Sequence, residues 1–309
     1  MGFVTRSGGR APGNERPLRA ALRQALILPL SVLFAAGHAI FRARGFAVRE
    51  IRSGARRVIV YDRAGKGPAP PVVLVHGLGG SASSFAGLAA PLLPVARRVL
   101  VLDLPGHGRN RLAPGEEPAT VLEQDAAVGA VLEWLSEPAV LIGNSLGGAL
   151  SLHAAATHPE RVAAVVGLSP AGAPLAGEAR SQVLHAFRGG AESARELPAR
   201  LYARPPRLAR LFERDMGRHF AAPAVRALLK NLVAGDDPGM RPATLDRITQ
   251  PVLILWGDAD GILPHASVEF FRSHLRRGTV EVLPGCGHLP HVEQRAIVAA
   301  RISRFLAEL

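Results

Sequence analysis

Cysteine is almost missing from this chain: Cys286 is the only one among 309 residues. A single thiol forms no internal bridge, so a disulfide scaffold is excluded, while the redox compartment stays open because exported enzymes also do without bridges. Metal-ligand spacing is missing too. No grouping of His with Asp or Glu repeats the short intervals of a metal site, so neither a metal nor another cofactor is expected. The basic residues lack interleaved aromatics and any nucleic-acid-binding motif. The formal net charge of +12, nearly all arginine and spread along the chain, therefore does not point to a nucleic-acid partner.

What is present is ample apolar material. With 48% hydrophobic and 20% charged residues, the chain has the composition of a globular enzyme with a substantial core. Residues 1 to 17 mix Gly, Pro, Asn and Arg without periodicity and read as a basic tail. Ala25 to Phe41 is then an apolar run, interrupted only by Ser31 and His38, with Arg19 and Arg23 before it and Arg42 and Arg44 after it. As a helix it reaches roughly 26 Å, close to the roughly 30 Å of a hydrocarbon core. Three readings follow: a membrane anchor or interfacial helix, a signal peptide, or a helix packed on the protein's own surface. The first, favoured by attraction of the flanking arginines to an anionic surface, predicts a membrane-associated protein; the others leave an exported or a cytoplasmic one. Pro29 weakens a spanning helix.

From Phe46 onward the pattern becomes regular. Phe46 to Ile51 and Arg57 to Tyr61 alternate as an antiparallel hairpin would. Val72 to Val75, Val99 to Leu102, Val140 to Ile142, Val162 to Leu168, Val252 to Trp256 and Val280 to Leu283 are short apolar runs. Such runs suit strands buried on both faces of a parallel sheet. Helical segments separate them, so the fold class is α/β, a doubly wound, mostly parallel sheet. Residues 172 to 248 have helix-period leucines, many arginines and no buried strand, and read as an inserted helical cap. The organisation is thus 1–45 as tail and hydrophobic segment, 46–171 with 249–309 as the core, and 172–248 as the cap.

The strongest local signal is Gly143-Asn144-Ser145-Leu146-Gly147-Gly148, placed between an apolar strand and an alanine-rich helix. A serine raised on such a sharp strand-to-helix turn is an exposed nucleophile, and the glycines remove side chains that would collide there. The helix amino terminus begins at the same point, so the Leu146 N–H faces the position of a developing oxyanion. His76-Gly77-Leu78-Gly79-Gly80 follows an earlier strand, and the Leu78 N–H is expected as the second donor. His76 itself reads as a structural loop residue. His288, between Gly287 and a carboxy-terminal helix, is the expected general base, since imidazole titrates near 6.5. His291 is its rival; His107, His153 and His158 read as packing or loop residues, and Asp103 as a carboxylate pinning the Pro105-Gly106 turn.

Together with Asp103-Leu104-Pro105-Gly106-His107-Gly108, Gly257-Asp258-Ala259-Asp260 and Gly285-Cys286-Gly287-His288, these motifs resemble the α/β-hydrolase fold family of lipase and esterase type, including monoacylglycerol-lipase-like serine hydrolases, over roughly Phe46 to Leu309. The resemblance implies a triad acid in the loop after Val252 to Trp256, which selects Asp260 over Asp258. It also implies hydrolysis of small-molecule, lipid-like acyl esters through an acyl-enzyme. The elbow Asn144-Ser145-Leu146-Gly147-Gly148 is similar to that of carbon-carbon bond hydrolases of ring-cleavage products, which is the alternative reading. Dehalogenase chemistry is disfavoured because Ser145 stands where that group implies an aspartate. A non-catalytic hydrolase-fold binding protein is the remaining alternative; its usual mark, a missing triad member, is not found.

Overall fold

The computed structural model describes residues 30–112, 115–206, 212–233 and 240–309. The sheet has eight strands: β1 (Ala47–Ser53), β2 (Arg56–Ala64), β3 (Val72–Val75), β4 (Arg98–Asp103), β5 (Ala139–Asn144), β6 (Val162–Leu168), β7 (Val252–Gly257) and β8 (Gly278–Leu283). Their spatial order is β1-β2-β4-β3-β5-β6-β7-β8. β1 and β2 form the expected antiparallel hairpin, β2 runs antiparallel to β4, and all later pairings are parallel.

Side-chain alternation explains the two layers of helices. In β3, Val73 and Val75 join a core under α3 (Val121–Leu135) and α4 (Leu146–Thr157). Val72 and Leu74 point the other way, into a core under α2 (Ala86–Leu92) and α12 (Arg295–Ala307). Both faces of the strand are therefore dry, which is why its sequence is four consecutive apolar residues. α3 starts with a capping box, Thr120 and Glu123 each satisfying the other's backbone N–H, and stops at Ser136 in the left-handed region.

The strand order reverses around β3. The chain after β3 continues on the α2 face and the chain after β5 on the α4 face, so a crevice opens at the carboxyl ends of these two strands. Between β6 and β7 the chain leaves the sheet and forms α5 (Gly177–Ala186), α6 (Gly190–Leu201), α7 (Glu213–Ala221), α8 (Pro223–Val233) and the short α9 (Pro242–Leu245). After β7 come α10 (Ala266–His274) and, beyond β8, the short α11 (Pro290–Glu293).

The apolar amino-terminal run is divided. Residues 25–29 lie outside the described residues; the rest is α1 (Leu30–Ala43). Its inner face packs on the body: Phe41 is fully buried, stacks on Tyr61 at 4.7 Å and meets Phe46 edge-on at 5.1 Å. Its outer face leaves Val32, Leu33 and Ile40 exposed. Among the described residues no helix is long and apolar enough to cross a membrane. The surface-packed reading accounts for the inner face of α1.

Candidate active site

The β5-to-α4 turn is tight because nothing but glycine fits around it. A Cβ on Gly147 would stand 2.0 Å from the Val75 carbonyl oxygen, and one on Gly143 would stand 2.1 Å from the Gly147 carbonyl oxygen. Ser145, at the apex, takes φ 53° and ψ −117°, a left-handed conformation that costs a side-chain-bearing residue about 1–3 kcal/mol. The turn persists because its backbone is held on both sides: Ser145 N–H donates to Leu168 O, and Ser145 O accepts from the amides of Ala149 and Ala171.

Opposite the serine lies the loop after β3. A Cβ on Gly77 would come within 3.1 Å of the Ser145 Cβ, so this loop brings the peptide carrying Leu78 against Ser145. Leu78 lines the same cavities as Ser145, and Leu146, as the first residue of α4, has an amide with no acceptor in its own helix.

His288 and Asp260 meet from the loops after β8 and β7. Nδ1 of His288 is 2.8 Å from Asp260 Oδ2, with both side chains buried. The carboxylate only accepts, so Nδ1 donates to it and Nε2 is left free of that contact. Asp260 is fixed in turn by the Ile262 and Leu263 amides on its Oδ1, at 2.9 and 3.0 Å. The rival Asp258 accepts instead from the Cys286 N–H. Ser145 and His288 line one cavity without a direct hydrogen bond between them, a separation common in sites without substrate.

The other candidates fall elsewhere. His291 is fully buried and stacked on Phe85 at 4.6 Å; its ring nitrogens meet no partner among the described residues, and burial pushes it down to about 3. His76 accepts the Leu104 N–H on Nε2 and donates from Nδ1 to Gly77 O, a structural role as expected. His107 donates to Pro105 O. Asp103 accepts from the Ala82 and Arg109 amides and so pins the turn that follows it. Burial pushes the Cys286 thiol up to about 12, which removes it as a competing nucleophile. Among the described residues no group of His, Cys, Asp or Glu is arranged to hold a metal.

Three contributors escape a reading of sequence alone. Asn144 donates to Leu168 O and His288 O, at 2.8 and 3.1 Å, so it ties the elbow to the histidine's backbone. Glu293 accepts from Gly287 N–H and Ala203 N–H, joining the histidine loop to the chain after α6. Leu30, Leu33 and Phe34 of α1 form part of the wall of the cavity containing Ser145 and His288. The first two carry only a polar residue beside a catalytic motif as a signal; α1 carries none.

A family model for the alpha/beta hydrolase fold matches residues 70–294. The chain is 33% identical over 275 residues to the dihydrolipoyllysine-residue acetyltransferase component of the acetoin cleaving system of Pseudomonas putida, covering 86% of this chain and 70% of that protein. It is 28% identical over 276 residues to the 2-hydroxymuconate semialdehyde hydrolase of a Pseudomonas species, covering 84% of this chain and 94% of the relative. Among solved structures it resembles a bacterial membrane phospholipase A, with a TM-score of 0.76 and 25% identity over 95% of this chain and 96% of that one. With its reversed strand order at β3, its strained serine turn and this match over most of its length, the chain belongs to the alpha/beta-hydrolase fold family.

Proposed function

We propose that this hydrolase cleaves carboxylic esters with lipid-like acyl groups, using Ser145 as nucleophile, His288 as base and Asp260 as the acid that orients it. The observation that carries the reading is the Asp260–His288 contact of 2.8 Å beside a strained serine in one cavity. Ser145 Oγ attacks the ester carbonyl while His288 Nε2 takes its proton, and the Leu78 and Leu146 amides hold the oxyanion. The tetrahedral adduct collapses, His288 returns the proton to the leaving alkoxide, and an acyl-enzyme remains. Water then gives its proton to His288, attacks the acyl carbon and releases the acid and free Ser145.

Two cavities of about 370 and 390 Å³ meet at Ser145. The first contains both Leu78 and Leu146; the second contains His288. Since the acyl carbon stays with the oxyanion donors and the alcohol takes its proton from the imidazole, we place the acyl arm in the first and the alcohol in the second. The 172–248 insertion acts as a cap: Phe187 of its α5–α6 link lines both cavities. The apolar walls and the likeness to a phospholipase support a lipid-like ester. We also place the working enzyme at a lipid surface, because the exposed face of α1 adjoins the wall of the alcohol cavity.

The relative that hydrolyses 2-hydroxymuconate semialdehyde, together with the Asn144-Ser145-Leu146-Gly147-Gly148 elbow, supports a second reading as a carbon-carbon bond hydrolase. Short- and long-chain acyl esters assayed beside a vinylogous diketone acid separate the two. Ester turnover is the expected result, and turnover of the diketone alone overturns the first reading. A fluorophosphonate probe should label the wild type at Ser145; an unlabelled protein would be a binding protein rather than an enzyme.

A further inference from the structure

The first cavity follows one face of α4. Ser145, Leu146, Ala149, Leu150 and His153 all line it, at offsets of one, four, five and eight residues from the serine, which keeps them on a single helical face. At a rise of about 1.5 Å per residue, His153 stands roughly 12 Å beyond Ser145 along the axis. The rest of the lining is mostly apolar, with Leu175, Val183, Phe187 and Leu263 beside one amide side chain, Asn231.

Polarity returns at the far end. His153 Nδ1 is 2.8 Å from Asp125 Oδ1 on α3, and both residues line the cavity. The carboxylate accepts, so the imidazole donates from Nδ1. His153 Nε2 and Asp125 Oδ2 take no hydrogen-bond partner among the described residues. Leu122, beside them, is 79% exposed, so this end of the cavity opens to solvent.

A hydrocarbon tail reaching this point would strip water from two polar atoms and return nothing. A carboxylate tail would meet a charge of each sign, because the Asp125 carboxylate raises the pKa of His153, and would gain little. A hydroxyl both donates and accepts, and so matches a ring nitrogen next to a free carboxylate oxygen. An extended chain advances about 3.3–3.6 Å for every three bonds, which puts the tail roughly ten bonds from the reacting carbonyl. We infer that the acyl arm of the substrate is a medium-length chain ending in a hydroxyl, which is held by His153 and Asp125 at the outer end of the cavity. The inference rests on the proposed ester hydrolysis at Ser145.

The test compares p-nitrophenyl decanoate with the same ester hydroxylated at its terminal carbon, with p-nitrophenyl acetate as reference, on the purified full chain. The hydroxylated ester should show a kcat/KM about 3- to 10-fold higher, the worth of one net hydrogen bond, carried by KM. His153→Leu should reduce that ratio to about one or below, and His153→Gln, whose amide also donates and accepts, should restore part of it. Equal kcat/KM for the two decanoates in the wild type overturns the inference. So does a His153→Leu variant that melts lower and loses both activities in parallel with the ratio intact, since the pair would then only tie α3 to α4. Acetate needs neither polar atom. Acetate turnover without hydroxyl preference therefore overturns this inference alone, whereas absence of turnover on all three esters overturns the ester reading on which it rests.

Discussion

His219 of α7 lies 2.8 Å from the carbonyl oxygen of Gly79, with its Nε2 donating. The contact spans 140 residues of sequence and ties the insertion to the loop that carries Leu78. Phe34 of α1 packs edge-on against the same imidazole at 5.9 Å. The insertion, the Leu78 loop and the first helix are thus braced at one ring. His219→Phe keeps the packing against Phe34 and Phe220 but deletes the donor. Ester kcat should fall about 2- to 10-fold, the value of one such bond, with labelling of Ser145 by fluorophosphonate retained; an unchanged kcat would show that the brace does not position the loop.

Ser145→Ala should lower kcat for an acyl ester by several orders of magnitude, about 10⁶ in the comparable serine-protease case. The variant should also remain unlabelled by the fluorophosphonate. Steady-state assays with an accepted ester decide it, and wild-type turnover in the variant removes the serine from the mechanism.

Asp260→Asn reverses the hydrogen-bonding requirement at His288 Nδ1 and favours the wrong imidazole tautomer. The expected loss is about 10⁴ in kcat. Among the described residues Asp258 accepts only from the Cys286 amide, so Asp258→Asn should cost less than about tenfold. If the two variants exchanged these effects, the acid would have been misassigned.

Burial holds His76, His107 and His291 neutral and pushes them down to about 4, 3 and 3. Their folded pKa values lie below the unfolded value of about 6.5, so the unfolded chain takes up more protons between those limits. Stability is therefore fully present above about pH 6.5 and is lost as pH falls, by on the order of 1.4 kcal/mol per pH unit for each histidine. Thermal melts should fall steeply below about pH 6.5, and His291→Phe, which keeps the stack on Phe85, should make the slope shallower. An identical slope in the variant would count against the assignment.

Lipid association is tested on the outer face of α1. Val32→Asp combined with Ile40→Asp should abolish cosedimentation of the full chain with anionic phospholipid vesicles; neither side chain lines the cavities at Ser145. Equal partitioning of variant and wild type would exclude this face as the contact.

The parallel sheet was legible, and Ser145 and His288 stood out as candidates, because their signals are local: an apolar strand, a glycine turn and an alanine-rich helix sit side by side in the chain. β3 reads as buried because all four of its residues are apolar. The partner of α1 was not legible, for a physical reason. An apolar run has the same sequence signature whether its partner is acyl chain or protein, and only the fold reveals Phe41 lying on Tyr61. Asn144 and His219 act through carbonyls 144 and 140 residues away, and backbone acceptors leave no trace in composition or spacing. In the sequence Asp260 is preferred to Asp258 on the resemblance alone; in the fold Asp260 lies 2.8 Å from His288 Nδ1 while Asp258 accepts from the Cys286 amide.

The φ of 53° at Ser145 has an evolutionary reading. Ser145→Gly would relax a backbone cost of about 1–3 kcal/mol, so the inactive chain should melt at a higher temperature than the active one. Selection on folding alone would therefore favour glycine at this position, and the serine stands there against the interest of stability.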